Sequence, residues 1–396
     1  MVLAGLCLLL LAVAVNSTPG QDWVPFQVAS VLAGEHAWHD VYPVSHARAL
    51  FDVTDTFRDT ALGLGLDLPA NGITGFVSPP PAALLLTPFS TWPVLWSHAL
   101  WRLVIAVPVC LAVLAFGEFR HRVAGVSPWE WVGVCLVAGI LLFYIVGAGQ
   151  PSGWLFVAAV CSALPASRRT DAAGGLALAL ACMTKATPLL VVVGLWLAGR
   201  RRLARVSACA LVGWAAAAWP WTGAQSWQVF LDSAAQIGQR ILADWNNASV
   251  DALVQRLVSG RTDSNFQQPT TLVTVVAWTL RVVLVGWSAV RVFTARTAHA
   301  RVGAAWTAWL ASTPLLWTHY LAVLMPLVPG TSRGSWRVLA PLVPISVGTW
   351  LVFASQRTAL VAGLSCAGWL LAAVAILRAG REHEQRAADA VGADAQ

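Results

Sequence analysis

The chain has 396 residues, of which 58% are hydrophobic and 11% charged, with a mean hydropathy of +0.67. Soluble domains carry about 25% charged residues, so a water-soluble globular fold is excluded, and the apolar runs that recur along most of the length predict an all-α polytopic membrane protein. The net charge of +7 comes from 24 arginines and one lysine, Lys185, set mostly in short turns between apolar runs, which is the positive-inside pattern and not a nucleic-acid face.

Val2 to Val15 reads as a signal-peptide core or a first span, and without a convincing cleavage site before Gly20 a span is preferred. It is short for about 30 Å of hydrocarbon, which suggests that residues precede it. A first outer loop, 17–93, carries seven of the 18 acidic residues. Two stretches in it, Pro25 to Leu32 and Ser45 to Leu62, are predicted to be helices lying at the membrane interface. Spans follow at 94–117, 131–146 and 154–166.

Arg168-Arg169 and Arg200-Arg201-Arg202 then flank a run of 28 residues, 172–199. Two full spans need about 40 residues, so two half-length helices meeting at Thr184-Lys185-Ala186-Thr187-Pro188 are predicted, a break of the kind found where backbone lines a cavity. One tilted span is the alternative, which the charge bias disfavours. A span at 203–219 leads to a second outer loop, 220–269, and another span covers 270–293. A second broken hairpin is predicted over 302–329, interrupted at Ser312-Thr313-Pro314 and at Trp317-Thr318-His319-Tyr320. Spans at 338–353 and 360–377 close the series.

The expected architecture is one integral membrane domain, 1–377, of ten to twelve segments, with a disordered cytoplasmic tail over 378–396. With the tail inside, 16 basic residues fall inside, six outside and three within spans, in keeping with that topology. The seven cysteines all sit in apolar runs without a CxxC pair, so neither a disulfide framework nor a metal site is expected. The 22 tryptophans read chiefly as interfacial belts. An internal repeat is not evident, which weakens a transporter reading.

Asp22 stands a few residues outside the first span among aromatics and proline. A carboxylate at the edge of a low-dielectric region has its pKa raised and suits a general base; a solvated loop aspartate is the plain alternative. Asp40, beside His39 and Tyr42, is a similar candidate. Lys185, at the predicted apex of a broken hairpin, is a cation at membrane depth, and a phosphate is a fitting partner; snorkelling or pairing with a carboxylate is the alternative. His319, at the second break, can donate to a substrate hydroxyl or phosphate, or serve a structural purpose. Asn246, Asn247, Ser249, Asp251 and Arg256 make a polar cluster in the second outer loop. No P-loop, GxGxxG, HExxH or GxSxG motif is present.

Taken together and in order, Asp22-Trp23-Val24-Pro25-Phe26, Ala33-Gly34, Asp40-Val41-Tyr42, the Ser78 to Pro88 stretch, Gly149-Gln150, Lys185-Ala186-Thr187-Pro188, Asn246-Asn247-Ala248-Ser249 and Trp317-Thr318-His319-Tyr320 resemble actinobacterial membrane glycosyltransferases of the GT-C type, the polyprenol-phosphate mannosyl- and arabinofuranosyltransferases. The resemblance implies a GT-C-like helical bundle in the plasma membrane with its active site facing outside. It also implies a polyprenyl-phosphate sugar donor and a glycolipid or glycan acceptor. Asp22 matches the catalytic base of the family's first outer loop, and His319 matches its histidine, although Leu316 replaces the serine expected before Trp317.

On this reading Asp22 deprotonates the acceptor hydroxyl, while Lys185, Arg256 or His319 balances charge on the departing phosphate. Asn246, Asn247, Asp40 and Tyr42 complete the candidate binding set. Neither metal nor cofactor is expected, and a single displacement implies inversion. His319 favours mannose as the sugar, with arabinofuranose as the alternative. A flippase for a lipid-linked precursor, or a non-catalytic assembly protein, are the readings from other classes.

Overall fold

A computed structural model describes residues 2–16, 22–42, 53–66, 74–90, 92–124, 139–260, 262–263, 265–327, 343–345, 347–348 and 363–378. The described chain is almost entirely helical; a pair of two-residue strands, Ile241–Leu242 and Phe266–Gln267, is the only sheet among these residues. The helices are α1 (Val2–Asn16), α2 (Val24–Gly34), α3 (Trp38–Val41), α4 (Asp55–Gly63), α5 (Pro80–Ala83) and α6 (Val94–Ala124). Next come α7, described over 139–147, α8 (Ser152–Ala163), α9 (Arg168–Thr184), α10 (Leu189–Leu197) and α11 (Arg201–Gly238). The series ends with α12 (Val250–Ser259), α13 (Thr271–Thr294), α14 (Ala298–Ser312), a 3-10 helix (Thr318–Leu324) and α15 (Gly363–Arg378). Val94–Phe119, Arg201–Gly238 and Thr271–Thr294 are long and apolar enough to cross a membrane, and α1, α2, α8 and α15 are shorter apolar helices. This is an all-α membrane protein.

Both predicted hairpin breaks are present. Helix α9 begins with a capping box, in which the Ser167 hydroxyl accepts from the Thr170 amide at 3.1 Å and the Thr170 hydroxyl accepts from the Ser167 amide at 3.0 Å. It ends at Lys185, whose backbone is extended, and α10 starts only after Pro188. The proline ring disfavours the helical region for the residue before it, so the helix cannot run through. At the second break α14 stops at Ser312 and the chain resumes as a 3-10 helix at Thr318.

Helix α9 is wedged between α8 and α11 at two glycines. A Cβ on Gly174 would stand 2.6 Å from the Cys161 Cβ, and one on Gly175 would stand 2.7 Å from the Val206 Cβ. Small residues are what let helix backbones approach this closely inside membranes. The far end of the hairpin is tied by Arg200, which donates to the carbonyls of Ser162, Leu164 and Cys161 and to Asp171 at 2.7 Å. Lys185 is thereby held at the tip of a helix anchored along its side and at its base.

Three expectations change. The 25–32 stretch does not lie on the interface: α2 is buried on nearly every side. It has no charged face to offer water, and a helix apolar all round is buried by its neighbours. The second helix of the loop starts at Asp55, where the Thr54 hydroxyl accepts from the Phe57 amide at 3.1 Å; residues 43–52 lie outside the described residues. Finally, the span expected at 203–219 continues into the second outer loop. Gly223 takes φ 61° and ψ −179°, a conformation open essentially to glycine alone, and the chain bends there and goes on as helix to Gly238. The predicted segments 338–353 and 378–396 fall almost wholly outside the described residues.

Candidate functional site

Asp22 occupies the turn just ahead of α2, in front of the fully buried Trp23. Its carboxylate accepts hydrogen bonds from the side chains of Gln150 and Tyr144, and Lys185 acts on it through its charge. It lies deep in protein mass yet keeps some accessible surface, as Lys185 does.

Burial raises the Asp22 pKa, and the Gln150 and Tyr144 hydrogen bonds and the Lys185 charge only partly offset this. Lys185 faces Asp22 as its opposite charge. His319 is 2% exposed, and among the described residues neither of its ring nitrogens has a hydrogen-bond partner. Burial, with Lys185 nearby, holds its pKa well below the ordinary histidine value, so the ring is neutral. A neutral imidazole carries one donor and one acceptor, and both are here unmet by protein. Buried polar groups ordinarily find partners, so this pair fits a ligand that brings a hydroxyl or phosphate oxygen.

The scaffold around these three groups explains their places. Gln150 is aimed by a tight turn: Gly149 has φ 69°, its carbonyl accepts from the Trp101 indole at 2.8 Å, and a Cβ there would stand 3.2 Å from Trp101. Tyr144 lies six residues earlier, on α7. Its ring centroid is 5.4 Å from that of His319, and the Tyr320 ring meets the other side of His319 edge-on at 4.8 Å.

The other candidates sit in the surrounding loops with their polar groups engaged by protein. Asn247, fully buried, donates to the carbonyls of Leu242 at 2.9 Å and Pro314 at 3.3 Å, and accepts from the Leu316 amide at 3.0 Å. The Asn246 carbonyl receives both the amide and the hydroxyl of Thr318, at 3.0 and 3.2 Å. Arg256 donates to the carbonyls of Asp244 and Asn247, each at 2.9 Å, and to the Cys366 sulfur at 3.3 Å. The Asn246 and Asn247 bonds fasten this stretch to the segment that carries His319, and the Arg256 bonds hold it to itself and to α15.

Tyr42 is buried between Phe76 and Phe230 and donates to the Ser78 carbonyl at 3.0 Å. Asp40 stays partly exposed on α3, where its carbonyl accepts from the Thr54 hydroxyl at 3.2 Å. None of the contacts among the described residues joins Asp40 or Tyr42 to Asp22, Lys185 or His319.

Three site neighbours carried no role in the sequence reading: Tyr144, Gln150 and Tyr320. A usable signal was present. The chain has three tyrosines against 22 tryptophans, and two of the three, Tyr144 and Tyr320, stand against His319.

Residues 76–316 match the model of glycosyltransferase family 87, well over half of the chain. Lys185, Asn246, Asn247 and Arg256 lie inside the matched stretch, and Asp22 and His319 lie outside it. Neither the curated proteins nor the solved structures contain a match to the chain.

Proposed function

This chain belongs to glycosyltransferase family 87, and from that premise we propose that it transfers mannose from a polyprenyl-phosphate donor to a glycolipid or glycan acceptor at the outer face of the plasma membrane. The observation that carries this reading is the convergence of Asp22, Lys185 and His319, from three distant parts of the chain, on one site.

Asp22 takes the proton of the acceptor hydroxyl as that oxygen attacks the anomeric carbon. The bond from the anomeric carbon to the phosphate oxygen breaks, its electron pair stays on the phosphate, and the configuration inverts. A donor phosphodiester has one negative charge and gains a second as it leaves; the Lys185 ammonium meets that developing charge in a region of low dielectric. The neutral His319 ring offers its donor and acceptor to a sugar hydroxyl or a phosphate oxygen. Asn246, Asn247 and Arg256 hold the loop that seats His319, and Tyr42 braces the outer wall.

Purified protein with polyprenyl-phosphate mannose and a panel of envelope glycolipids tests the reading, with polyprenyl-phosphate arabinofuranose as the comparison donor. Asp22→Asn is expected to lower kcat by about 10³-fold or more, the scale of losing a general base and its orientation. Transfer at the wild-type rate by that variant sinks the base assignment, and a product retaining the donor's anomeric configuration sinks the single displacement.

A further inference from the structure

We infer that Tyr144 is a positioning residue that couples the base to the imidazole, its hydroxyl holding the Asp22 carboxylate while its ring backs His319. The inference deepens the proposed glycosyl transfer and rests on Asp22 being its base.

Tyr144 touches both groups with different parts of one side chain. The hydroxyl donates to Asp22, and the ring lies against His319, 5.4 Å between centroids and inclined by 33°. A carboxylate has about four lone-pair directions. Gln150 and Tyr144 fill two of them from protein, and the remaining directions are the ones with which a base can take a proton. Both donors come from one short stretch, the α7 helix and the turn after it. The Gln150 amide donates back to the Ile145 carbonyl at 2.8 Å, and the Trp101 indole clamps Gly149, so the two arrive as a unit.

Among the described residues no hydrogen bond orients His319. The rings of Tyr144 and Tyr320 are what fix its plane. A rotation of Tyr144 therefore disturbs the base and the imidazole together. A phenylalanine in its place keeps the ring and removes only the hydroxyl.

The first test needs no substrate. Infrared difference titration follows the protonated carboxyl band of Asp22, assigned by its loss in Asp22→Asn. Tyr144→Phe is expected to raise the midpoint by about one pH unit, because a hydrogen bond to the charged form is gone. Site-specific replacement of Tyr144 by 3-fluorotyrosine keeps the shape and strengthens the donor, so the midpoint is expected to fall. The second test uses polyprenyl-phosphate mannose and a mannolipid acceptor: Tyr144→Phe is expected to lower kcat about tenfold, with the donor KM within twofold and the acid limb displaced upward with the midpoint.

An unmoved midpoint in both Tyr144 variants overturns the inference, even where Asp22→Asn is inactive. If Asp22→Asn is fully active while the midpoints still move, the coupling stands and the base assignment is what fails. A raised KM with unchanged kcat in Tyr144→Phe also overturns it, since a merely structural or substrate-binding role gives that pattern.

Discussion

The Asn247 side chain joins two segments 69 residues apart, its oxygen accepting from the Leu316 amide at 3.0 Å while its nitrogen donates to the Pro314 carbonyl at 3.3 Å. The backbones continue the junction: the Ala248 amide donates to the Leu316 carbonyl at 2.7 Å, and the Thr318 amide to the Asn246 carbonyl at 3.0 Å. His319 is the next residue, so the Asn246–Asn247–Ala248 stretch sets the position of the imidazole.

Asn247→Asp keeps the size and the acceptor but replaces the donor by a second oxygen facing two carbonyls. At a fully buried position, the lost bonds and unmet acceptors are expected to cost about 2–4 kcal/mol. The expected outcome in detergent is a clear fall in Tm together with at least a tenfold loss of kcat/KM, read by scanning fluorimetry and transfer assay. Asn247→Asp with the wild-type Tm would show that the junction contributes nothing to the fold.

The pH profile follows from two groups. Asp22 must be ionised to accept a proton, and its pKa is raised, so activity falls as pH drops through a value above the ordinary carboxylate range. Lys185 must be protonated to meet the phosphate, so activity falls again as rising pH removes its proton. Lys185→Arg keeps its charge throughout and is expected to remove the alkaline limb while leaving the acid limb in place. A profile of log kcat against pH for the two proteins checks this; an alkaline limb that persists in Lys185→Arg belongs to another group.

Arg200 and Asp171 lie at the opposite end of the α9–α10 hairpin from Lys185. Each side chain is 8% exposed, and removing one partner of a buried pair costs about 3–5 kcal/mol. Arg200→Ala also abandons three carbonyls, so it is expected to destabilise more than Asp171→Asn. Folded Asp171→Asn protein is expected to keep its specific activity per molecule, because the pair is remote from the site. Tm and active-fraction measurements separate the two effects.

Gly223 has open space where a Cβ would go, so its substitution is opposed by backbone strain alone. Gly223→Ala is expected to cost about 1–3 kcal/mol. It also disturbs the outer part of α11, which meets α3 through the 2.8 Å Gln225–His39 bond and Tyr42 through Phe230. Protease protection of this outer segment, compared between wild type and variant, reports the change directly.

Local chemistry was legible in the sequence. The break at Lys185 to Pro188 follows from one proline and a length too short for two spans, and the limits of α13 from an apolar run between polar flanks. Long-range pairing was not. Asn247, Arg256 and Tyr42 have the chemistry of substrate ligands, but their partners are backbone carbonyls far along the chain, which composition does not reveal. Pro220 and Gly223 looked like the end of a helix; a proline and a glycine can equally bend one that tertiary packing continues on the far side. Tyr144 was hidden inside an apolar run, where a single hydroxyl barely alters hydropathy.

Lys185 is the only lysine among 396 residues. Once deprotonated at alkaline pH, its amine is a nucleophile. A donor-shaped lipid carrying an amine-selective electrophile such as a salicylaldehyde would find a single lysine side chain in the whole protein, placed beside Asp22. The arginine-for-lysine bias of this chain thus makes the site addressable by covalent chemistry without any engineered handle.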